Sequence, residues 1–277
     1  MNEPFLLKPS AKDYLWGGNR INEVFGKGID LSPLAETWEC SVHPDGPSYA
    51  VGGKFDGMAL ADILKNNPEF LGENIGEDRE FPILIKFIDA KKDLSVQVHP
   101  SDEYAKKYEN GQNGKTEMWY VLDAEKGATL VYGMKEDTDK ETIRKAINEG
   151  KLEDYLQKFE IKKGDVFFIE AGTVHAIGAG ALIAEIQQNS NLTYRMYDYD
   201  RVDKNGNKRE LHIDKALAVS DLKPVSKSEK QENKCETVDG IKKTFLAGCK
   251  YFNTSKLDIN SESSIDFKSD KSSYKVL

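Results

Sequence analysis

Between residues 81 and 197 the chain reads as a series of short β-like runs: Phe81–Ile88, Leu94–Val98, Glu117–Leu122, Ala128–Tyr132, Asp165–Ile169, Ala181–Ile186 and Thr193–Tyr197. Seven strands at such short intervals restrict the chain to a sandwich or a barrel. The pattern changes once inside the series. Over Asp137–Gly150 a polar cap, good helix formers and a terminal glycine predict a helix. A second short helix is predicted over Leu152–Lys158, so that the two form a helical insert near 137–158. Upstream the text is more mixed, with a short helix predicted over Ala59–Asn66. After Val219 a lysine- and serine-rich stretch from Leu222 to Lys234 reads as a surface linker. Beyond it Lys243–Ala247, Phe252–Ile259 and Ser264–Phe267 have strand character, and Tyr274–Leu277 reads as the start of one more strand. Three strands rarely make an independent domain.

At 277 residues the chain has ample length for one large domain, or for a main domain and a smaller one. Its three cysteines, Cys40, Cys235 and Cys249, are an odd number without CxxC spacing. That points away from a disulfide framework and from a cysteine-zinc site, and towards a reducing cytoplasm. The first residues lack the basic and apolar regions of a signal peptide, and no apolar stretch approaches a membrane span. A net charge of -8 argues against nucleic acid as the main partner, because a phosphate backbone calls for a basic surface. An anionic small substrate stays compatible, provided that cationic side chains gather at its site.

The chemistry concentrates around Asp93–Pro100. Strand alternation puts Gln97 and His99 on one face and turns Val96 and Val98 the other way. An amide oxygen and an imidazole aimed into the same space look like metal ligands, and Glu117 and His175 supply the missing partners from other predicted strands. Two nitrogens and two oxygens suit zinc, and also iron, manganese, cobalt or nickel. Singly, each residue has a bland alternative; it is the set that points to a metal. Lys115, two residues before Glu117, shares its face on a continuous strand, and Ser95 shares the face of Gln97 and His99. Arg195 aligns with Thr193 and Tyr197, either pairing with a strand carboxylate or binding an oxyanion. Glu185 is a proton-transfer group or the partner of a cation. His43 divides evenly between a pocket-lining and a structural role, and His212 is read as a cap or a surface contact near the linker; both stand outside the metal set.

Ile161–Gly178 strings together a glycine turn, a strand, an Ala-Gly turn and a histidine, and resembles the second half of a cupin jelly roll, where alternation projects ligands into a small barrel. More specifically, the blocks Ala35–Gly46, Leu94–Ala105, Gly114–Tyr120, Ala171–Ala176 and Asn189–Arg201, in that order, resemble the type I mannose-6-phosphate isomerases, particularly their short bacterial form. The resemblance implies a mainly β protein: a catalytic cupin-type jelly roll with a helical insertion over 1–221, then a linker and a smaller, incomplete C-terminal β domain over 222–277. It implies a cytoplasmic enzyme that interconverts mannose 6-phosphate and fructose 6-phosphate through an enediol, with one Zn2+ per chain, a sugar phosphate as its partner, and neither nucleic acid nor membrane. The family's zinc ligands map onto Gln97, His99, Glu117 and His175, its active-site arginine onto Arg195, and its lysine onto Lys115. On this reading Arg195 assists at an oxyanion, Ser95, Lys115 and Arg195 bind substrate, and Glu185 is the preferred base. The competing readings are another metal-dependent cupin enzyme, such as an iron oxygenase, and a non-catalytic sugar-binding cupin.

Overall fold

Two facing antiparallel sheets hold most of the strands in the computed structural model, which describes residues 3–75, 80–203, 205–225, 234–238, 241–260 and 272–277. In chain order the strands are β1 (Leu6–Lys8), β2 (Ser10–Lys12), β3 (Glu36–Cys40), β4 (Tyr49–Val51), β5 (Ile83–Asp89), β6 (Val96–Val98), β7 (Glu117–Ala124), β8 (Thr129–Met134), β9 (Leu156–Glu160), β10 (Val166–Ile169), β11 (His175–Ile177), β12 (Ala181–Gln188), β13 (Tyr194–Tyr197), β14 (Cys235–Val238), β15 (Ile241–Gly248) and β16 (Asn253–Asp258). The helices are α1 (Arg20–Phe25), α2 (Leu60–Asn66), α3 (Asp102–Tyr108), α4 (Lys140–Asn148) and α5 (Ile213–Val219). One sheet runs β10-β7-β12-β5-β3-β2 and the other β13-β6-β11-β8-β9. This is a mainly β, cupin-type jelly roll, in which alternation sends every second side chain into the space between the sheets.

That space is filled by Ile88, Trp119, Val121, Leu130, Phe167, Ile177 and Ile183. The opposite faces are covered too. Val96, Val98, Val131, Ala176 and Met196 of the five-stranded sheet pack under Ile143 and Ile147 of α4 and Leu217 of α5. Ile83 and Met118 of the six-stranded sheet share a cluster with Leu60 and Leu64 of α2, with Leu246 and Ala247 of β15 in the three-stranded sheet β14-β15-β16, and with Phe252 in the turn before β16. Helix α4 forms where its sequence predicts, because the Asp139 side chain accepts from the amides of Glu141 and Thr142 while Ile143, Ala146 and Ile147 bury one face. Gly150, at φ 68°, ends that segment.

Several sequence expectations change in detail. Only Leu152–Tyr155 of the second predicted helix is helical, as one 3-10 turn; from Leu156 the chain becomes β9, with Phe159 opposite Leu130 and Lys158 opposite Val131. Sheet pairing overrides the helix propensity of Leu-Glu-Asp-Tyr-Leu-Gln-Lys. Upstream, β2 and β3 extend the main sheet, a contribution that the mixed composition hid. The expected linker opens with structure, since Leu222 is buried and Pro224 bridges to Met134; residues 226–233 lie outside the described ones. Strand character over Ser264–Phe267 also falls outside the described residues. Residues 274–277 form no strand; Tyr274 instead packs against Phe81 in a tilted ring contact, with centroids 4.8 Å apart.

Leu156 is fully buried in the cluster beneath α4 and α5. Leu156→Ala is expected to lower the unfolding free energy by about 2–5 kcal/mol, measured by chemical denaturation. A loss under about 0.5 kcal/mol, the range of an exposed site, would contradict the placement of β9.

Candidate metal centre

Register across the two sheets assembles the site. On the five-stranded sheet Arg195 lies opposite Gln97, Gln97 opposite His175 and His175 opposite Tyr132, so one transverse row carries all four on the inner face. On the six-stranded sheet a second row runs Phe167, Trp119, Glu185, Lys86 and Trp38. Glu117 opens β7 two residues before Trp119 and therefore shares its face. His99 follows β6 directly and keeps the direction of Gln97.

The two histidines are set up alike. His99 Nδ1 donates to the Leu192 carbonyl and His175 Nδ1 to the Thr173 carbonyl, each at 2.8 Å. Because a carbonyl only accepts, each Nδ1 carries the proton and each Nε2 presents a lone pair. Burial, reinforced by the Lys115 charge, pushes His99 well below the ordinary imidazole range, and burial brings His175 down to about 4. Both rings are therefore neutral, the state in which imidazole binds a metal. Their Nε2 atoms lie 3.2 Å apart, and Glu117 Oε2 and Oε1 stand 3.5 Å from His99 Nε2 and His175 Nε2 respectively. Two imidazole lone pairs and the Glu117 carboxyl converge on one point, an arrangement that a bound cation would complete. His99, Glu117 and His175 form the group of possible metal ligands among the described residues, their donor atoms all within 4.8 Å of one another.

Charge balance points the same way. The buried ionic groups form a chain: Glu117, Lys115 at 2.8 Å, Glu185 at 3.7 Å from that lysine, Lys86 at 3.3 Å, and Glu36 at 3.9 Å. Three carboxyl groups face two ammonium groups along this chain, and its end is Glu117, whose Oε1 has no hydrogen-bond donor among the described residues. Burial and the nearby Glu185 charge raise the Glu117 carboxyl. Burial acts on Glu185 in the same sense, but Lys115, Lys86 and the Trp119 indole, which donates to Oε2 at 2.9 Å, outweigh it and hold that carboxyl low. A desolvated carboxylate with an unpartnered oxygen is expensive unless a cation completes it. The residues present therefore fit a divalent metal.

The remaining predicted residues are placed as follows. Gln97 reaches the centre through its amide nitrogen, 3.4 Å from His175 Nε2, with the oxygen turned to the Ser95 hydroxyl at 3.4 Å. Lys115 precedes β7 rather than lying on it, yet its ammonium sits where strand geometry would have put it. Among the described residues Arg195 has no strand carboxylate within ion-pair distance: Nη1 donates to the Glu210 carbonyl, and the buried Nε has no hydrogen-bond partner there. His43 packs edge-on against Trp38. His212 occupies the position before α5 without capping it, and its Nδ1 accepts from the Arg195 amide at 3.2 Å. Sequence reasoning missed Lys86, Glu36 and Trp38. Lys86 had a signal, as the one charged residue inside the apolar run Pro82–Ile88.

His99→Ala is expected to abolish stoichiometric binding of a divalent metal, measured by elemental analysis after dialysis, while the far-ultraviolet circular dichroism is kept. A folded variant that still holds one metal per chain would remove His99 from the ligand set.

Comparison with known proteins finds relatives over most of the chain. The family model for the phosphomannose isomerase type I catalytic domain matches residues 5–131. Mannose-6-phosphate isomerase ManA of Bacillus subtilis is 39% identical over 263 residues, covering 95% of this chain and 82% of that protein. Mannose-6-phosphate isomerase of Streptococcus mutans is 38% identical over 260 residues, covering 94% of this chain and 80% of that protein. A crystal structure of the mannose 6-phosphate isomerase from Bacillus subtilis superposes with a TM-score of 0.88 at 38% identity, over 94% of this chain and 81% of that one. Likeness of this extent, in sequence and in backbone alike, means that the chain belongs to the type I phosphomannose isomerase family.

Proposed function

We propose that this chain interconverts mannose 6-phosphate and fructose 6-phosphate at the centre formed by His99, Glu117 and His175. The observation that carries the reading is the buried Glu117 carboxylate, open at Oε1, beside two neutral imidazoles and the Lys115 ammonium. The two histidines, Glu117 and Gln97 would hold one Zn2+, Gln97 after its amide oxygen turns inward. When bound, the zinc supplies Lewis-acid stabilisation for negative charge developing on sugar oxygens.

Moving a proton between C1 and C2 of the sugar through an enediol needs a proton acceptor and a cationic environment. Glu185 fits the acceptor role in being ionised and shielded from water, with Lys115 and Lys86 setting its basicity. The depressed carboxyl makes it a weak base, whose proton affinity rises once Lys115 turns to substrate. Arg195 brings a guanidinium to the mouth of the row, where its unpartnered Nε can donate to an oxyanion. Arg201 and Arg209 both donate to Asp198, so two further guanidinium groups stand near Arg195, as binding of a phosphorylated sugar would use. Ser95 and Lys115 complete the substrate contacts. In this reading residues 1–221 form the catalytic unit and 222–277 the smaller β unit. The three free cysteines, and the absence of a membrane-crossing helix among the described residues, suit a cytoplasmic location.

The test is fructose 6-phosphate formation from mannose 6-phosphate, before chelation, after it, and after Zn2+ is restored. Activity is expected to disappear and return; a folded, zinc-loaded sample without activity would favour the sugar-binding reading. In the same assay Arg195→Ala is expected to lower kcat about 10²- to 10³-fold with metal content unchanged. Parallel loss of metal and turnover would contradict the division of roles between Arg195 and the ligands.

A further inference from the structure

Lys115 and Glu117 lie at the end of a loop, yet the backbone around them is held at each successive residue. The Gly114 amide donates to Asp102 Oδ1 at 2.9 Å, the Lys115 amide to the Pro100 carbonyl at 3.0 Å, and the Thr116 amide to Gln188 Oε1 at 2.8 Å. Gln188 closes the arrangement: its own amide donates to the Thr116 carbonyl at 3.0 Å, and its Nε2 donates to the same Asp102 Oδ1 at 2.8 Å. The loop is pressed so closely on the start of α3 that a Cβ at Gly114 would stand 2.4 Å from the Asp102 nitrogen. Asp102 has a second set of partners. The Tyr251 hydroxyl, in the turn between β15 and β16, donates to Asp102 Oδ2, and Lys250 Nζ lies 3.5 Å from that oxygen.

We propose that Asp102 and Gln188 are positioning residues that set the Lys115–Glu117 backbone, and that Tyr251 ties this clamp to the three-stranded C-terminal sheet. The inference rests on the isomerase reading for its kinetic consequence alone. Asp102 lies three residues beyond His99 on one side of the site, and Gln188 lies three residues beyond Glu185 on the other. The clamp therefore joins the segments that carry His99, Lys115, Glu117 and Glu185, and holds Lys115 between the two glutamates that it faces. A carboxylate oxygen shared by one backbone amide and one side-chain amide fixes both, because each donor would otherwise be desolvated without a partner. Through Tyr251, a part of the chain that contributes no metal ligand reaches the geometry of one.

Four variants test this: Asp102→Ala, Asp102→Asn, Gln188→Leu and Tyr251→Phe. The first readout is amide hydrogen exchange over residues 112–118 in the metal-free protein, with residues 174–178 as the reference segment. Asp102→Ala and Gln188→Leu are expected to speed exchange at 112–118 by about tenfold or more, leaving 174–178 unchanged. With saturating Zn2+, both are expected to lower kcat by roughly ten- to a hundredfold while KM for mannose 6-phosphate moves less than about twofold. Asp102→Asn keeps an oxygen for Gly114 and Gln188 and is expected to return both readouts to within about threefold of wild type; Tyr251→Phe should fall between. Unchanged exchange at 112–118 in the Ala and Leu variants would overturn the proposal. So would a kcat that stays at the wild-type value, or an Asp102→Asn variant as impaired as Asp102→Ala. Should the wild-type protein show no isomerase activity, the functional reading fails on its own, and the exchange data still decide whether the clamp exists.

Discussion

The Glu117 carboxylate is fully buried, and one of its oxygens has no donor among the described residues. Most of what surrounds it follows from that constraint. A carboxylate taken out of water demands positive charge nearby, and the protein supplies it from Lys115, which is also buried and must itself be balanced. Glu185 balances Lys115, Lys86 balances Glu185, and Glu36 ends the chain of charges against the Trp38 indole. Every group in the chain has an ion-pair partner, and the chain holds one carboxyl group more than it has ammonium groups. The open valence at Glu117 faces two imidazoles whose other nitrogens are committed to backbone carbonyls, so the protein presents three donor groups to one point. A stability-driven core would have replaced this array with apolar side chains; its retention marks the place where function opposes packing.

The jelly roll makes such an array affordable to assemble, since it needs only register. Two transverse rows, one on each sheet, bring together residues as distant in sequence as Trp38 and Arg195. Apolar residues fill the same inner layer away from the rows, and both outer faces are covered, by α4 and α5 on one side and by α2 and the C-terminal sheet on the other. The charged chain is thus enclosed between the two sheets, with Glu36, Lys86, Lys115, Glu117 and Glu185 all buried. Low polarity around the chain strengthens each of its interactions and keeps both histidines neutral.

Alternation made much of this legible in the sequence. The pair Gln97 and His99 faces inward because Val96 and Val98 belong to the outer cluster under α4 and α5, as a period of two requires. Glu117 and His175 converge on them for the same reason. What escaped were elements whose inner positions carry site chemistry in place of aliphatic residues. In β3 the inward side chains are Glu36 and Trp38, so the strand lacks the apolar rhythm that reveals β5 or β12. β9 escaped for a different reason: Leu152, Tyr155, Leu156 and Phe159 repeat at helical spacing, and only pairing with β8 settles the conformation. Lys86 and Glu185, each embedded in an apolar run, show that a charge at an inward strand position is itself a pointer to a buried ionic network. The contact between Tyr251 and Asp102 spans 149 residues and leaves no local trace in either segment.

The position of the metal is decisive. Anomalous diffraction at the zinc edge, from crystals grown with Zn2+, locates it directly. A single strong peak is expected between His99 Nε2, His175 Nε2 and Glu117, with the Gln97 amide oxygen turned towards it. Full zinc loading with the peak elsewhere, or with Glu117 outside ligand distance, would contradict the view that the open carboxylate is the seat of the metal.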